Sequence, residues 1–155
     1  MKIRIIGGSG CGKTFLARRL SRELGIPHRD LDELQWDNAS DSYGQKRDAR
    51  ERDALLWEIL EQDDWIIEGV YYAWCLQTFA DADRIYLLRA PKALYRARII
   101  RRFIRRRLGL EPGKRETLKS LLALLRWADK YQKEAMPEIR RILEPYAHKV
   151  IETNG

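Results

Sequence analysis

MKIRIIGGSGCGKTFLARRLSREL, residues 1–24, reads as a strand, a glycine loop and a helix, and that reading decides the fold. Ile3, Ile5 and Ile6 lead in, and Leu16, Leu20 and Leu24 come after at i, i+4, i+8, the spacing of one helix face. Between them GGSGCGKT, from Gly7 to Thr14, fills the pattern G-x-x-x-x-G-K-[ST]. Each position has a chemical task. Gly7, Gly8, Gly10 and Gly12 let the backbone curl without Cβ clashes, so that the N–H groups of the loop, Ser9 and Cys11 included, turn inward on an anion. Lys13 adds a charge that follows the β- and γ-phosphates, the Thr14 hydroxyl suits Mg²⁺, and the helix aims its positive end at the same point. The stretch is therefore a site for nucleotide phosphates.

A chain of 155 residues, 45% hydrophobic, suits one compact domain. No apolar run approaches the length of a membrane span, so a cytoplasmic protein is expected. Cys11 and Cys75 have neither metal-site spacing nor a disulfide framework and read as reduced thiols. The net charge of +7 is uneven: nine basic residues lie between Arg89 and Arg107. Such a cluster suits nucleic acid, an anionic surface or a polyphosphate.

Gly25 and Pro27 break the first helix, and HRDLDELQW (28–36) predicts a short second strand ending near Asp32. Ligands of open α/β sheets sit beyond the carboxyl ends of strands, which sets Asp32 beside the loop. There it tunes Mg²⁺ through water or takes a proton from a hydroxyl substrate, or else it caps a turn. DNASDSYGQK (37–46) is polar and predicts a mobile loop; a helix over 47–62 comes next, with Leu55, Leu56, Ile59 and Leu60 inward. Arg47 and Arg50 at its start either hold an anionic acceptor or are solvated charges. WIIEG (65–69) is an apolar strand, and Glu68 at its end is the candidate for ordering the water shell of Mg²⁺. Tyr71, Tyr72 and Trp74 line the acceptor pocket or pack on the sheet.

A fourth strand is expected over 83–89, and Pro91 opens a helix to about Arg107. At 100° per residue Ile100, Phe103 and Ile104 share one face and Arg98, Arg102 and Arg105 the opposite one, which directs the arginines away from the core. LGLEPGK (108–114) breaks this helix, and arginines around such a loop suit a closing lid. Leu118, Leu121, Leu122 and Leu125 predict a helix ending near Gln132, and Ile139, Ile142 and Leu143 another that starts around Pro137. A last strand is expected at 148–153. Regular alternation of strand and helix argues for a five-stranded parallel sheet covered on both faces.

GGSGCGKT, LDELQW, DDWIIEGVY, the strand before Pro91 with its arginine-rich helix, and LLRW occur in an order that resembles a family. It is that of the small adenylate-kinase-like P-loop proteins often labelled DNA topology modulation proteins, within the nucleotide and metabolite kinases. The resemblance implies a three-layer α/β P-loop fold with strand order 2-3-1-4-5, an acceptor flap over about 36–62 and a lid over about 105–115. It also implies that Arg98 packs near the adenine, that Arg102 and lid arginines such as Arg106 lie on the phosphates, and that Trp36, Arg47, Arg50 and Tyr71 face the acceptor. Similar proteins carry Asp-Gly-Asn-Tyr where this chain has Glu68-Gly69-Val70-Tyr71, so the Mg²⁺ shell and one pocket contact differ. The expected function is phosphoryl transfer from Mg-ATP to a small acceptor, a nucleoside monophosphate or a metabolite. The alternative is a nucleotide-binding regulator that touches nucleic acid through the arginine-rich helix.

Overall fold

The strand β1 (Lys2–Gly7) lies at the centre of the sheet, hydrogen-bonded in parallel on one side to β5 (Trp65–Gly69) and on the other to β6 (Arg84–Arg89). The structure, a computed structural model, describes residues 1–37, 45–111 and 117–154. β2 (His28–Asp30) extends the sheet beyond β5 and β7 (Val150–Asn154) beyond β6, giving the order β2-β5-β1-β6-β7. Counted among the sheet strands alone this is 2-3-1-4-5. Two further strands, β3 (Trp36–Asp37) and β4 (Gln45–Lys46), pair antiparallel as a separate ribbon.

Period-two alternation divides the core between the two faces of the sheet. Ile3, Ile5, Ile66 and Leu88 pack under α1 (Lys13–Leu24) against Leu16, Ala17 and Leu20. Ile6, Ile67, Ile85 and Leu87 face the other way, toward α3 (Ala49–Leu60), α4 (Gln77–Asp81) and α7 (Met136–Leu143). Burying an aliphatic side chain of this size contributes roughly 1.5–3 kcal/mol, so these two layers dominate stability.

Arg4 breaks the apolar pattern. It is 0% exposed in the middle of β1, and its guanidinium donates to Thr78 Oγ1 at 3.1 Å and to the carbonyls of Ile5 at 2.6 Å and Tyr71 at 2.7 Å. These bonds offset the cost of burying the charge and tie the segment after β5 to the sheet.

Several boundaries differ from the sequence expectation for local reasons. β2 stops at Asp30 rather than near Asp32, because the Asp30 carboxylate accepts from Asp32 N at 2.9 Å and caps the short helix α2 (Leu31–Gln35). α3 begins at Ala49, capped by Asp48 accepting from Arg50 N. In α5 (Lys92–Arg107) the buried stripe is Tyr95, Ile99 and Phe103 at i, i+4, i+8, packed on α6 (Leu118–Lys130), while Ile100 and Ile104 are exposed. That rotation turns Arg98, Arg102 and Arg106 inward, against the expectation that the arginines point away. The two helices expected beyond residue 117 are one continuous rod: α6 passes through a five-residue π turn, Tyr131–Ala135, directly into α7. A 3₁₀ segment, Glu144–Lys149, then leads to β7. Parts of the expected flap and lid, 38–44 and 112–115, lie outside the described residues. No helix among the described residues is long and apolar enough to cross a membrane.

Candidate active site

The glycine loop runs from the end of β1 into α1, at the carboxyl edge of the sheet. Gly10 has φ 77°, and a Cβ there would stand 2.6 Å from the backbone oxygen of Tyr95, so the loop and α5 touch backbone to backbone. A Cβ on Gly8 would meet Gln132 Nε2 at 2.7 Å. The π turn therefore packs directly on the loop, as π turns often do at functional sites. Gln132 Nε2 also reaches Cys11 Sγ at 3.5 Å. Burial pushes the Cys11 thiol up, against the pull of Lys13, so Cys11 is an inert packing group.

Lys13 Nζ donates to Gly8 O at 2.9 Å, inside the curl of the loop. Burial pushes its pKa down and the Glu68 charge opposes that shift. One cleft of about 810 Å³ holds Ser9, Gly10, Gly12, Lys13 and Thr14 at one end. Arg98, Arg102 and Arg106, four residues apart along α5, form one wall of the same cleft, and Arg98 Nη1 reaches Gly10 O at 3.3 Å. Arg105, on another face, pairs with Glu111 at 2.6 Å.

Beside the loop the cleft is acidic, and the charges of Glu68, Asp30 and Asp32 all reach Lys13. Asp30, Asp32 and Glu68 line it, with Gln35, Trp36, Lys46 and Tyr71. Asp30 on β2 and Glu68 on β5 are in register on adjacent strands. Burial first and the Glu68 charge second push the Asp30 carboxyl up to about 7. Glu68 is 1% exposed, and its Oε1 has no hydrogen-bond partner among the described residues. The Tyr71 hydroxyl donates to Asp32 Oδ1 at 2.8 Å, and burial, then Asp32, pushes the phenol up, so it stays a donor.

Two expected acceptor contacts fall outside this cleft. Arg47 donates to Leu34 O at 3.1 Å and to Glu51 at 2.6 Å, holding α2 against α3. Arg50 sits in the first turn of α3 and does not line the cleft. Asp30 and Lys46 do line it, although the sequence reading does not single them out. The pair Asp30-Leu31-Asp32 is the available signal, since a strand that ends before Leu31 puts both acids at the cleft.

The site fits Mg²⁺. An unpartnered buried carboxylate oxygen on Glu68 beside the crowded Asp30 marks a place where a cation would be stabilising. Among the described residues no three His, Cys, Asp or Glu side chains are grouped to hold a metal by themselves. Mg²⁺ suits such a site, because it keeps several waters and takes oxygens from substrate phosphates rather than from a full protein cage.

A family pattern described as an AAA domain matches residues 3–119, three quarters of the sequence. The chain belongs to that family. The AAA-domain match spans the loop, the acidic end of the cleft and all of α5. The chain is also 27% identical over 145 residues, 93% of its length, to the uncharacterized protein YqaC of Bacillus subtilis (strain 168), of which the match covers 80%. In three dimensions it is similar to a shikimate kinase from Acinetobacter baumannii, solved with shikimate, with a TM-score of 0.62 and 20% identity over 99% of this chain and 84% of that one. TT1252 from Thermus thermophilus is similar at a TM-score of 0.56 and 20% identity, over 100% of this chain and 89% of that one. The fold is accordingly that of the small P-loop kinases.

Proposed function

We propose that the chain is a phosphotransferase that moves the γ-phosphoryl group of Mg-ATP to the hydroxyl of a small acceptor. The observation that carries the reading is the placing of Asp32, held by Tyr71, in one cleft with Lys13 and Thr14. The similarity to a shikimate kinase, which by its name acts on a small metabolite, points the same way.

The N–H groups of the loop and Lys13 bind the phosphates, and Arg98 flanks the nucleotide. Thr14 and Glu68, with Asp30, would hold Mg²⁺, which when bound neutralises phosphate charge. Tyr71 fixes Asp32 through Oδ1. The other carboxylate oxygen then takes the proton as the acceptor oxygen attacks phosphorus and ADP leaves. Arg102 and Arg106 stabilise charge on the transferring group. A nucleoside monophosphate would need no base and would need cations at the acceptor end. There Arg47 is committed to Leu34 and Glu51, and Lys46 lines the cleft beside two acids, Asp30 and Asp32. The residues 36–62 and 105–115 are proposed to close over acceptor and nucleotide.

The nucleic-acid reading has less support, because α5 spends much of its charge internally. Arg98, Arg102 and Arg106 line the cleft, Lys92 and Arg96 pair with Asp129, and Arg105 pairs with Glu111. Asp32→Asn tests the alcohol reading: it should lower kcat by roughly a hundredfold or more while leaving ATP affinity within a few-fold. Unchanged kcat would remove Asp32 from the chemistry.

A further inference from the structure

Beyond Tyr71 the active cleft opens into a second one of about 480 Å³, which shares Val70, Tyr71 and Trp127 with the first. Its walls are aromatic. Tyr71 and Trp74 stack tilted with centroids 5.5 Å apart on one side, and Trp127 and Tyr131 at 5.2 Å on the other. Tyr72 completes the lining.

The hydroxyls of these tyrosines are engaged within the protein. Tyr71 donates to Asp32, Tyr72 to Glu138 Oε2 at 2.9 Å, and Tyr131 to Val70 O at 2.7 Å. Apart from the Trp74 indole N–H, which has no partner among the described residues, what the walls offer a ligand is therefore ring surface, which carries negative potential on its faces. The rim carries two carboxylates, Glu134 and Glu138, against one cation, Lys130, so its balance has the same sign. Lys130 is paired with Glu134 at 3.7 Å, and among the described residues no basic side chain lies within ion-pair distance of Glu138. The Trp74 ring already carries a cation in this way, with the Arg52 guanidinium 4.2 Å from its centroid.

Rings with an uncompensated carboxylate at their edge suit an organic cation and repel a carboxylate or phosphate. We infer that the second cleft is the distal subsite of the acceptor and takes an ammonium or alkylammonium group, so that the acceptor is a hydroxylated organic cation. This rests on the phosphotransferase reading for the word acceptor, while the cation site stands on the cleft itself. Tyr71 joins the two ends: its hydroxyl holds the base, and its ring walls the subsite.

The test is a chemical-shift titration of the full chain, without nucleotide, by choline and by its uncharged isostere 3,3-dimethylbutanol, following the indole N–H signals. Choline should shift Trp74 and Trp127, leave the core Trp65 and the α3 residue Trp57 in place, and bind about fivefold or more tighter than the isostere. Glu138→Gln and Trp127→Leu should each weaken choline binding by about fivefold; both positions are exposed, so the fold tolerates them. Equal binding of the isostere, tighter binding of the anion 3-hydroxybutyrate, or no shift at Trp74 and Trp127 would overturn the proposal. Choline binding without any ATP turnover keeps the subsite and defeats the kinase reading. Turnover stimulated only by anionic alcohols keeps the kinase and defeats the subsite.

Discussion

Asp30 and Glu68 are register partners on neighbouring parallel strands, so two acids close the carboxyl edge of the sheet directly beside the phosphate loop. In a folded chain this crowding is a cost, and it makes the acid end of the cleft sensitive to pH and to cations.

The Asp30 carboxyl is pushed up from 3.8 to about 7 in the fold, chiefly by burial. The folded chain therefore holds a proton there that the unfolded chain has released, and the stability this group contributes is greatest below about pH 4 and falls as pH rises through about 7. Asp30→Asn keeps the cap on Asp32 N and should remove that fall. Thermal melts from pH 4 to 8 should show the variant gaining on the parent with rising pH, by a few degrees at pH 8. Parallel curves would show that Asp30 does not titrate in this range.

Lys13 lies on the loop, bonded to the loop's own carbonyl at Gly8. Lys13→Ala should leave the melting temperature within a few degrees and reduce turnover by roughly a hundredfold or more. Loss of the fold instead would mean that Lys13 serves stability rather than phosphate.

Gly10 and Gly25 both have positive φ, but only Gly10 is crowded, by the Tyr95 backbone, whereas nothing lies within 4 Å of a Cβ on Gly25. Gly25→Ala should cost about 1–2 kcal/mol in urea denaturation. Gly10→Ala should cost more, about 2–3 kcal/mol, and should also weaken ATP binding, because α5 must shift to make room. Equal costs would mean that the contact between loop and α5 is loose.

Arg47 donates to the Leu34 carbonyl at the end of α2 and to Glu51, and does not line the cleft. Arg47→Ala should lower stability by about 1 kcal/mol and leave the acceptor KM within twofold. A tenfold rise in KM would restore Arg47 to the acceptor site.

The glycine loop, β1, β5, β6 and α5 are legible in the sequence because each combines a strong period with a clear break: Gly7 to Thr14, Asp63-Asp64 before Trp65, Pro91 before Lys92. The face of α5 is not, because Ile100 and Ile104 look like core, and only the packing of Tyr95, Ile99 and Phe103 on α6 decides the rotation. Asp30 is hidden because a side-chain cap ends β2 two residues early. The π turn leaves no mark in the sequence, since Tyr131 and Gln132 are held by contacts to Val70, Cys11 and Gly8 that are distant in the chain. Arg4 is hidden for the same reason, as its partners at Tyr71 and Thr78 are set by the fold.

If the cleft transfers a phosphoryl group to an alcohol, the most direct measurement is ³¹P NMR of the purified chain with Mg-ATP and a panel of small alcohols, cationic, neutral and anionic, beside nucleoside monophosphates. A new phosphomonoester signal is expected with one class of alcohol, appearing as ADP accumulates and absent with Asp32→Asn. ATP that binds without forming any such ester, or transfer only to nucleoside monophosphates, would contradict the assignment of this cleft to an alcohol acceptor.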